Sequence, residues 1–271
     1  MTTHQSALIT GASSGLGAIY ADRLARRGYD LILVARDESR LSALAGDISR
    51  NTGRSVKVAA ADLTDAADLA RIEGMLRTDS GIEILVNNAG TVLSGTVADS
   101  DPDRLESMIR LNVLAPTRLA AAVIPGFVAR GHGTLINIAS AVAVAPERLN
   151  GPYSGTKAYV LNLSVKLQHE LAGTGVRVQV VLPGAIRTGL WEKGGIDLDT
   201  ALPRHLVMDA GDMVDAALVG LDIGENVTMP SLRDVADWKA YEAARQTLAS
   251  GLSRDTPAPR YRVVAANGAG A

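Results

Sequence analysis

The chain has 271 residues, 47% of them hydrophobic, a net charge of −2 and no cysteine. That length suits one large α/β domain with a well-buried core. The balanced charge, without a basic stripe, argues against nucleic acid as a partner, and the lack of cysteine excludes disulfides and thiolate metal sites.

The predicted elements alternate along the chain. "MTTHQSALITGASS" lacks the basic region and long apolar run of a signal peptide. No stretch approaches the ~20 apolar residues of a membrane span, so a cytoplasmic location without membrane attachment is expected. "ALIT" at 7–10 is the first strand, and "LGAIYADRLARRG" follows as a helix ending at Gly28. "DLILVA" at 30–35 is the second strand, and "RDESRLSALAGDISRNTG" a helix closed by Gly53. "VKVAAADL" at 56–63 is the third strand, with Asp65 as cap of the next helix. "IEILVNNAG" carries the fourth. A long helix is expected over about 101–130, capped by Asp101 with Pro102 in its first position. "GTLINIAS", a helix opening at 151, "VRVQVVLPG" at 176–184, a helix over about 210–222 and an apolar run near 226–230 complete the series. Continuously apolar strands, each followed by a helix, imply a doubly wound α/β fold: a parallel sheet of about seven strands with helices on both faces. One domain over 1–271 is expected, with a substrate lid around 185–210 and a C-terminal extension from about 231 that frays at "AANGAGA".

Two stretches carry chemistry. "TGASSGLG" at 10–17 follows the first strand and opens a helix. Its spacing is G-x-x-x-G-x-G at Gly11, Gly15 and Gly17, not the usual G-x-G-x-x-G. Such glycines permit a tight turn and let a pyrophosphate approach the backbone, where a helix N-terminus favours negative charge. "GPYSGTKAYV" at 151–160 sets Tyr153 one turn before Lys157, both on one helix face. A lysine cation near a phenol lowers its pKa from about 10, giving a proton donor and acceptor near neutral pH. By spacing alone the pair reads first as a surface contact on an ordinary helix.

Taken together, "TGASSGLG", "NNAG" at 87–90 and Tyr153-x-x-x-Lys157 resemble, in order and spacing, the short-chain dehydrogenase/reductase family in its short single-domain branch, over roughly residues 5–230. The resemblance implies a Rossmann-type fold and an NADP(H)-dependent oxidoreductase that interconverts a carbonyl compound and a secondary alcohol. It implies Tyr153 as general acid and base, and Ser140, in "NIASAVA", bonding the same substrate oxygen. Lys157 would lower the phenol pKa and hold the nicotinamide ribose. Asn112, in "RLNVLAP", would sit in a locally distorted helix whose carbonyl holds a water of the proton relay. The cofactor residues it implies are Gly11, Ser13, Ser14, Gly15, Leu16 and Gly17 in the loop. Asp62 would bond the adenine amino group, with Leu63 next to it. Asn88, Ala89 and Gly90 would follow the fourth strand, and Tyr153 and Lys157 would serve here too. Pro183, Gly184, Ile186 and Thr188 come from "PGAIRT", with Thr188 on the nicotinamide carboxamide.

NAD-preferring relatives carry an acidic residue at the position of Ala35; here Arg36 follows instead and would accept a 2′-phosphate. Asp37 and Glu38 would oppose that phosphate if they faced it, and Ser14 replaces a basic residue that some NADP enzymes carry. No metal is implied, and His4, His132, His169 and His205 are scattered. The family pairs its long helices across two-fold axes, so a homotetramer or homodimer is expected. A catalytically silent NADP(H)-binding sensor or partner protein is the alternative; the presence of Asn112, Ser140, Tyr153 and Lys157 together argues against it. Leu190, Trp191, Ile196 and Leu198, with the apolar "AVAVAPERLNG" at 141–151, suggest an uncharged, fairly hydrophobic ketone or alcohol as substrate.

Overall fold

Nine strands occur in the computed structural model, which describes residues 5–261: β1 Ser6–Thr10, β2 Asp30–Ala35, β3 Val56–Ala60, β4 Ile82–Asn87, β5 Gly133–Ile138, β6 Val176–Val181, β7 Ala185–Ile186, β8 Val207–Met208 and β9 Val227–Thr228. Seven form one parallel sheet in the order β3-β2-β1-β4-β5-β6-β9, and β7 and β8 make a separate parallel pair. Successive strand residues point to opposite faces, so a sheet covered on both sides needs apolar residues at every position. In β1, Ile9 joins the core on one face and Leu8 the core on the other; Val86 and Leu85 in β4, and Ile136 and Leu135 in β5, divide in the same way.

One face is covered by α1 Gly15–Arg26, α2 Glu38–Thr52 and α9 Ala210–Asp222. The other is covered by α3 Ala66–Thr78, α5 Ala115–Arg130 and α6 Gly151–Glu170. The expected caps are present. Asp65 and Asp101 accept N–H groups of their helices' first turns, and Gly53 closes α2 in the left-handed conformation.

Three boundaries differ from the sequence reading. Strand β3 stops at Ala60 and β4 at Asn87, because Asp62 and Asn88 turn the chain with side-chain hydrogen bonds. The helix expected over 101–130 is α4 Pro102–Ile109, a π-helical turn at Arg110–Leu114, and α5. By length and composition this run of 29 residues is apolar enough to cross a membrane, which corrects the expectation that no such stretch exists. In the fold it buries Leu119, Val123 and Phe127 in the core.

The chain divides into two compact units, one ending at Ser231 and one beginning at Leu232. The first holds all nine strands. Within the described residues the second holds α10 Val235–Ala249, none of whose side chains is buried, with Trp238 and Tyr241 stacked at 5.2 Å. "AANGAGA" lies outside the described residues.

Candidate active site

A cavity of about 440 Å³ runs along the carboxyl ends of β1 to β6. The strand order turns back on itself between β1 and β4, and open α/β sheets bind ligands at such a switch point. Every residue expected to contact a cofactor lines this cavity except Gly17, and so does Ser140; Asn112 does not.

At one end β1 passes into the glycine loop. Gly11 and Gly15 have φ of +67° and +57°, which side chains adopt only under strain. Gly17 acts through packing: a Cβ there would lie 2.3 Å from the Gly11 carbonyl oxygen. The loop therefore delivers the start of α1 close to the strand ends. Ser14 sits at the N-cap but makes no side-chain capping bond, and the first turn holds no acidic residue. The N–H groups there are left to an outside acceptor, the arrangement that binds anions. The sequence reading missed Thr10. Its buried hydroxyl accepts the N–H groups of Asn88 and Ala89, each at 3.0 Å, and donates to the Val86 carbonyl at 3.2 Å. Asn88 Nδ2 returns a bond of 2.9 Å to the Thr10 carbonyl, so β1 and the residues after β4 are stitched together.

Arg36 and Asp62 come next, their charged groups 3.8 Å apart. Asp62 Oδ1 accepts the main-chain N–H and the hydroxyl of Thr64. Asp37 caps α2 by accepting the Arg40 N–H at 3.0 Å. Arg40, absent from the sequence expectation, also lines the cavity.

At the other end, Asn150 caps α6 by accepting the Tyr153 N–H at 3.4 Å, and its Nδ2 donates to the Gly95 carbonyl at 2.7 Å. Tyr153 and Lys157 are both buried. Lys157 Nζ donates to the Ile138 carbonyl at 2.9 Å and lies 5.8 Å from the Tyr153 ring centroid. Ser140, two residues past β5, donates to the Pro183 carbonyl at 3.5 Å and accepts the Val142 N–H at 3.4 Å, and its hydroxyl favours the ionised form of Tyr153. Burial pushes the Tyr153 phenol up to about 12, and the Ser140 hydroxyl only partly offsets this. Burial holds Lys157 down at about 8. The expectation that Lys157 lowers the phenol is thus corrected: its ammonium is committed to a carbonyl rather than to the hydroxyl, and desolvation dominates both groups.

Asn112 is buried inside the π turn. Its Oδ1 accepts the Thr91 N–H at 2.9 Å, and its Nδ2 donates to the Thr91 carbonyl and to the Thr156 hydroxyl. Thr156 donates in turn to the Tyr153 carbonyl at 2.7 Å. A Cβ on Gly90 would meet Asn112 Oδ1 at 3.2 Å and Lys157 Nζ at 3.5 Å, so these two groups converge on one glycine. Deeper, Asn87 Nδ2 donates to Asn137 Oδ1 and the Pro116 carbonyl, and Asn137 donates to Ser164, a buried polar line joining α5, β4, β5 and α6.

The walls beside Tyr153 are apolar: Val92, Leu93, Met108 and Val142 pack with Leu190 and Ile196. Leu190 opens α7 Leu190–Lys193, and the Trp191 indole donates to the Ile186 carbonyl at 2.8 Å. This segment docks through glycine. The Ser94 N–H donates to the Gly194 carbonyl at 3.2 Å, and a Cβ on Gly194 would lie 2.6 Å from Val92 Cγ1.

A sequence model described as short chain dehydrogenase matches residues 5–197. The chain belongs to this family. Among solved short-chain dehydrogenases it is similar to one from Sphingobium yanoikuyae in complex with NADPH, at 50% identity and a TM-score of 0.92, covering 95% of this chain and 100% of that one. It is also similar to the bulky-bulky ketone specific alcohol dehydrogenase from Comamonas testosteroni, at 44% identity and a TM-score of 0.88, covering 96% and 99%. An uncharacterised oxidoreductase from Staphylococcus saprophyticus is 34% identical over 224 residues, 82% of this chain and 93% of that protein. In this short-chain dehydrogenase the family match ends at residue 197, just before α8 Leu198–Ala201, and so covers every expected catalytic and cofactor residue but not Leu198 of the expected substrate wall.

Proposed function

We propose that this short-chain dehydrogenase is an NADP(H)-dependent oxidoreductase that interconverts a large, uncharged ketone and its secondary alcohol, with Tyr153 as general acid and base. The observation that carries this reading is a single cavity with Ser140, Tyr153 and Lys157 at one end and the uncapped N-terminus of α1 at the other. The residues fit the cofactor. The α1 N–H groups and the small loop residues suit a pyrophosphate, Asp62 suits an adenine amino group, and Arg36 suits a 2′-phosphate. The likeness to the Sphingobium enzyme in complex with NADPH supports the same choice.

When bound, the nicotinamide supplies the hydride chemistry. The chain supplies the proton and the positions. Tyr153, neutral at working pH, donates its proton to the carbonyl oxygen as negative charge develops there. Ser140 hydrogen-bonds that oxygen and holds it in line. Lys157 would hold the nicotinamide ribose, and the Asn112 carbonyl would link Lys157 to solvent through water. Pro183, Gly184, Ile186 and Thr188, which line the cavity, would border the nicotinamide.

The apolar walls and the lid over 185–210 support an uncharged substrate, and likeness to the Comamonas enzyme supports a bulky one. A cytoplasmic homotetramer or homodimer completes the proposal. Ile109, Leu114 and Tyr159, exposed on the long helices, support the oligomer. The test is NADPH consumption against grouped carbonyl compounds. Turnover should concentrate on bulky apolar ketones. NADPH binding without turnover across the panel would instead mark a silent binding protein.

A further inference from the structure

The reading above gives the 2′-phosphate to Arg36 alone. Arg36 is a poor sole ligand here: its side chain is 77% exposed, and its nearest charged partner is Asp62, a carboxylate that the same reading commits to adenine. The cavity at this end is also lined by Asp37 and Arg40. The four side chains sum to zero charge, two guanidiniums against two carboxylates. A phosphate monoester is close to a dianion at neutral pH, so Arg36 alone offsets only about half of its charge, and the second guanidinium lining this end is Arg40.

Asp37 decides how Arg40 is presented. Its Oδ1 accepts the Arg40 main-chain N–H, and its Oδ2 lies 3.3 Å from Arg40 Nε. That salt bridge engages the Nε edge of the guanidinium, and a planar fork of five donors has others to offer. The capping bond also directs one oxygen of Asp37 toward its own helix. The Asp37 charge is therefore partly neutralised before any phosphate arrives.

We infer that Arg40 is a second ligand of the cofactor 2′-phosphate, and that Asp37 is the carboxylate with which that phosphate competes for it. This rests on the NADP(H) reading. The alternative is an ordinary solvated pair on the first turn of a helix, in which case Arg40 contributes nothing to cofactor choice.

The test uses binding rather than turnover. The full chain and its variants are titrated calorimetrically with 2′,5′-ADP and with 5′-AMP, which differ by the phosphate in question. Arg40→Gln should weaken 2′,5′-ADP by about 10-fold, the size of a charge-assisted contact, and leave 5′-AMP within about 2-fold. Asp37→Asn keeps a good helix cap but removes the competing charge; it should tighten 2′,5′-ADP by about 3-fold or more. Unchanged 2′,5′-ADP affinity in Arg40→Gln, or an equal loss for both nucleotides, overturns the role of Arg40. Unchanged or weakened 2′,5′-ADP affinity in Asp37→Asn overturns the competition. If the wild-type chain binds 2′,5′-ADP no more tightly than 5′-AMP, the NADP(H) reading itself fails, and the inference falls with it.

Discussion

Asn112 and Pro116 stand four residues apart on one helical run, and Pro116 has no N–H to offer. Four residues is the spacing at which an α-helix bonds a carbonyl to an N–H, so proline here withholds the donor that would otherwise occupy the Asn112 carbonyl. The π turn at Arg110–Leu114 lies at this point, and the Pro116 carbonyl is held separately by Asn87 at 3.3 Å. Pro116→Ala restores the missing donor. We expect kcat to fall ~3- to 10-fold, about 1 kcal/mol, with NADPH affinity within about 2-fold of wild type. Steady-state kinetics beside a fluorescence titration would show it; an unchanged kcat would mean that the turn is held open by other contacts.

Tyr153→Phe keeps the ring among its apolar neighbours and removes the proton. Turnover should drop by ~10²- to 10⁴-fold, as for a positioned general acid, while NADPH still binds. A variant keeping more than about a tenth of wild-type kcat would contradict the role. Because burial holds the phenol near 12, it stays protonated through pH 9. Reduction should therefore be insensitive to Tyr153 ionisation between about pH 6 and 9, while oxidation, which needs the base, should rise with pH over the same range. A reductive rate that falls above pH 8 with a tyrosine-like step would contradict this.

Lys157 should cost stability where it serves function. Its folded pKa of about 8 lies below the ordinary 10.5, so between those values the unfolded chain binds more protons and stability rises with pH. Below pH 8 both states are protonated and the full burial cost, about 3 kcal/mol, is present. Lys157→Met, melted at pH 7 without added nucleotide, should raise Tm while abolishing turnover. A lower Tm would show that the bond to the Ile138 carbonyl outweighs desolvation.

Gly194 sets how closely the α7 segment approaches the apolar wall. A Cβ would reach 2.6 Å from Val92 Cγ1, closer than real contacts allow. Gly194→Val should displace the segment at a cost of ~1–3 kcal/mol. The expected signature is a KM for ketone raised about 10-fold with NADPH affinity little changed. Equal losses for ketone and NADPH would point to general misfolding.

The sheet was legible because two-sided burial forces continuous apolar runs: "ALIT" and "ILVN" read as strands from composition alone. Where the strands stop was not. The expected strands ran on through residues 61–63 and 88–90, where the side-chain bonds of Asp62, Asn88 and Thr10 turn the chain. Gly11, Tyr153 and Lys157 stood out because their spacing is itself the geometry. Arg40 did not, because a charged residue on a first helical turn looks like any solvated face. The phenol pKa was misjudged for a related reason: spacing reports that two side chains share a face, but not that both lie out of water or that Ile138 occupies the lysine. The π turn has no periodicity to betray it; only the family resemblance placed a distorted helix at Asn112, where the turn Arg110–Leu114 lies.

The strand order has a consequence for recombination. Chain before the turn joining α3 to β4 supplies β1, β2 and β3, and with them the glycine loop, Arg36, Arg40 and Asp62. Chain after it supplies Asn112, Ser140, Tyr153, Lys157 and the segment over 185–210. A chimaera crossing over near residues 79–81, with the β1–β4 pairing and the Thr10 bonds preserved, would inherit its nucleotide preference from one parent and its ketone preference from the other.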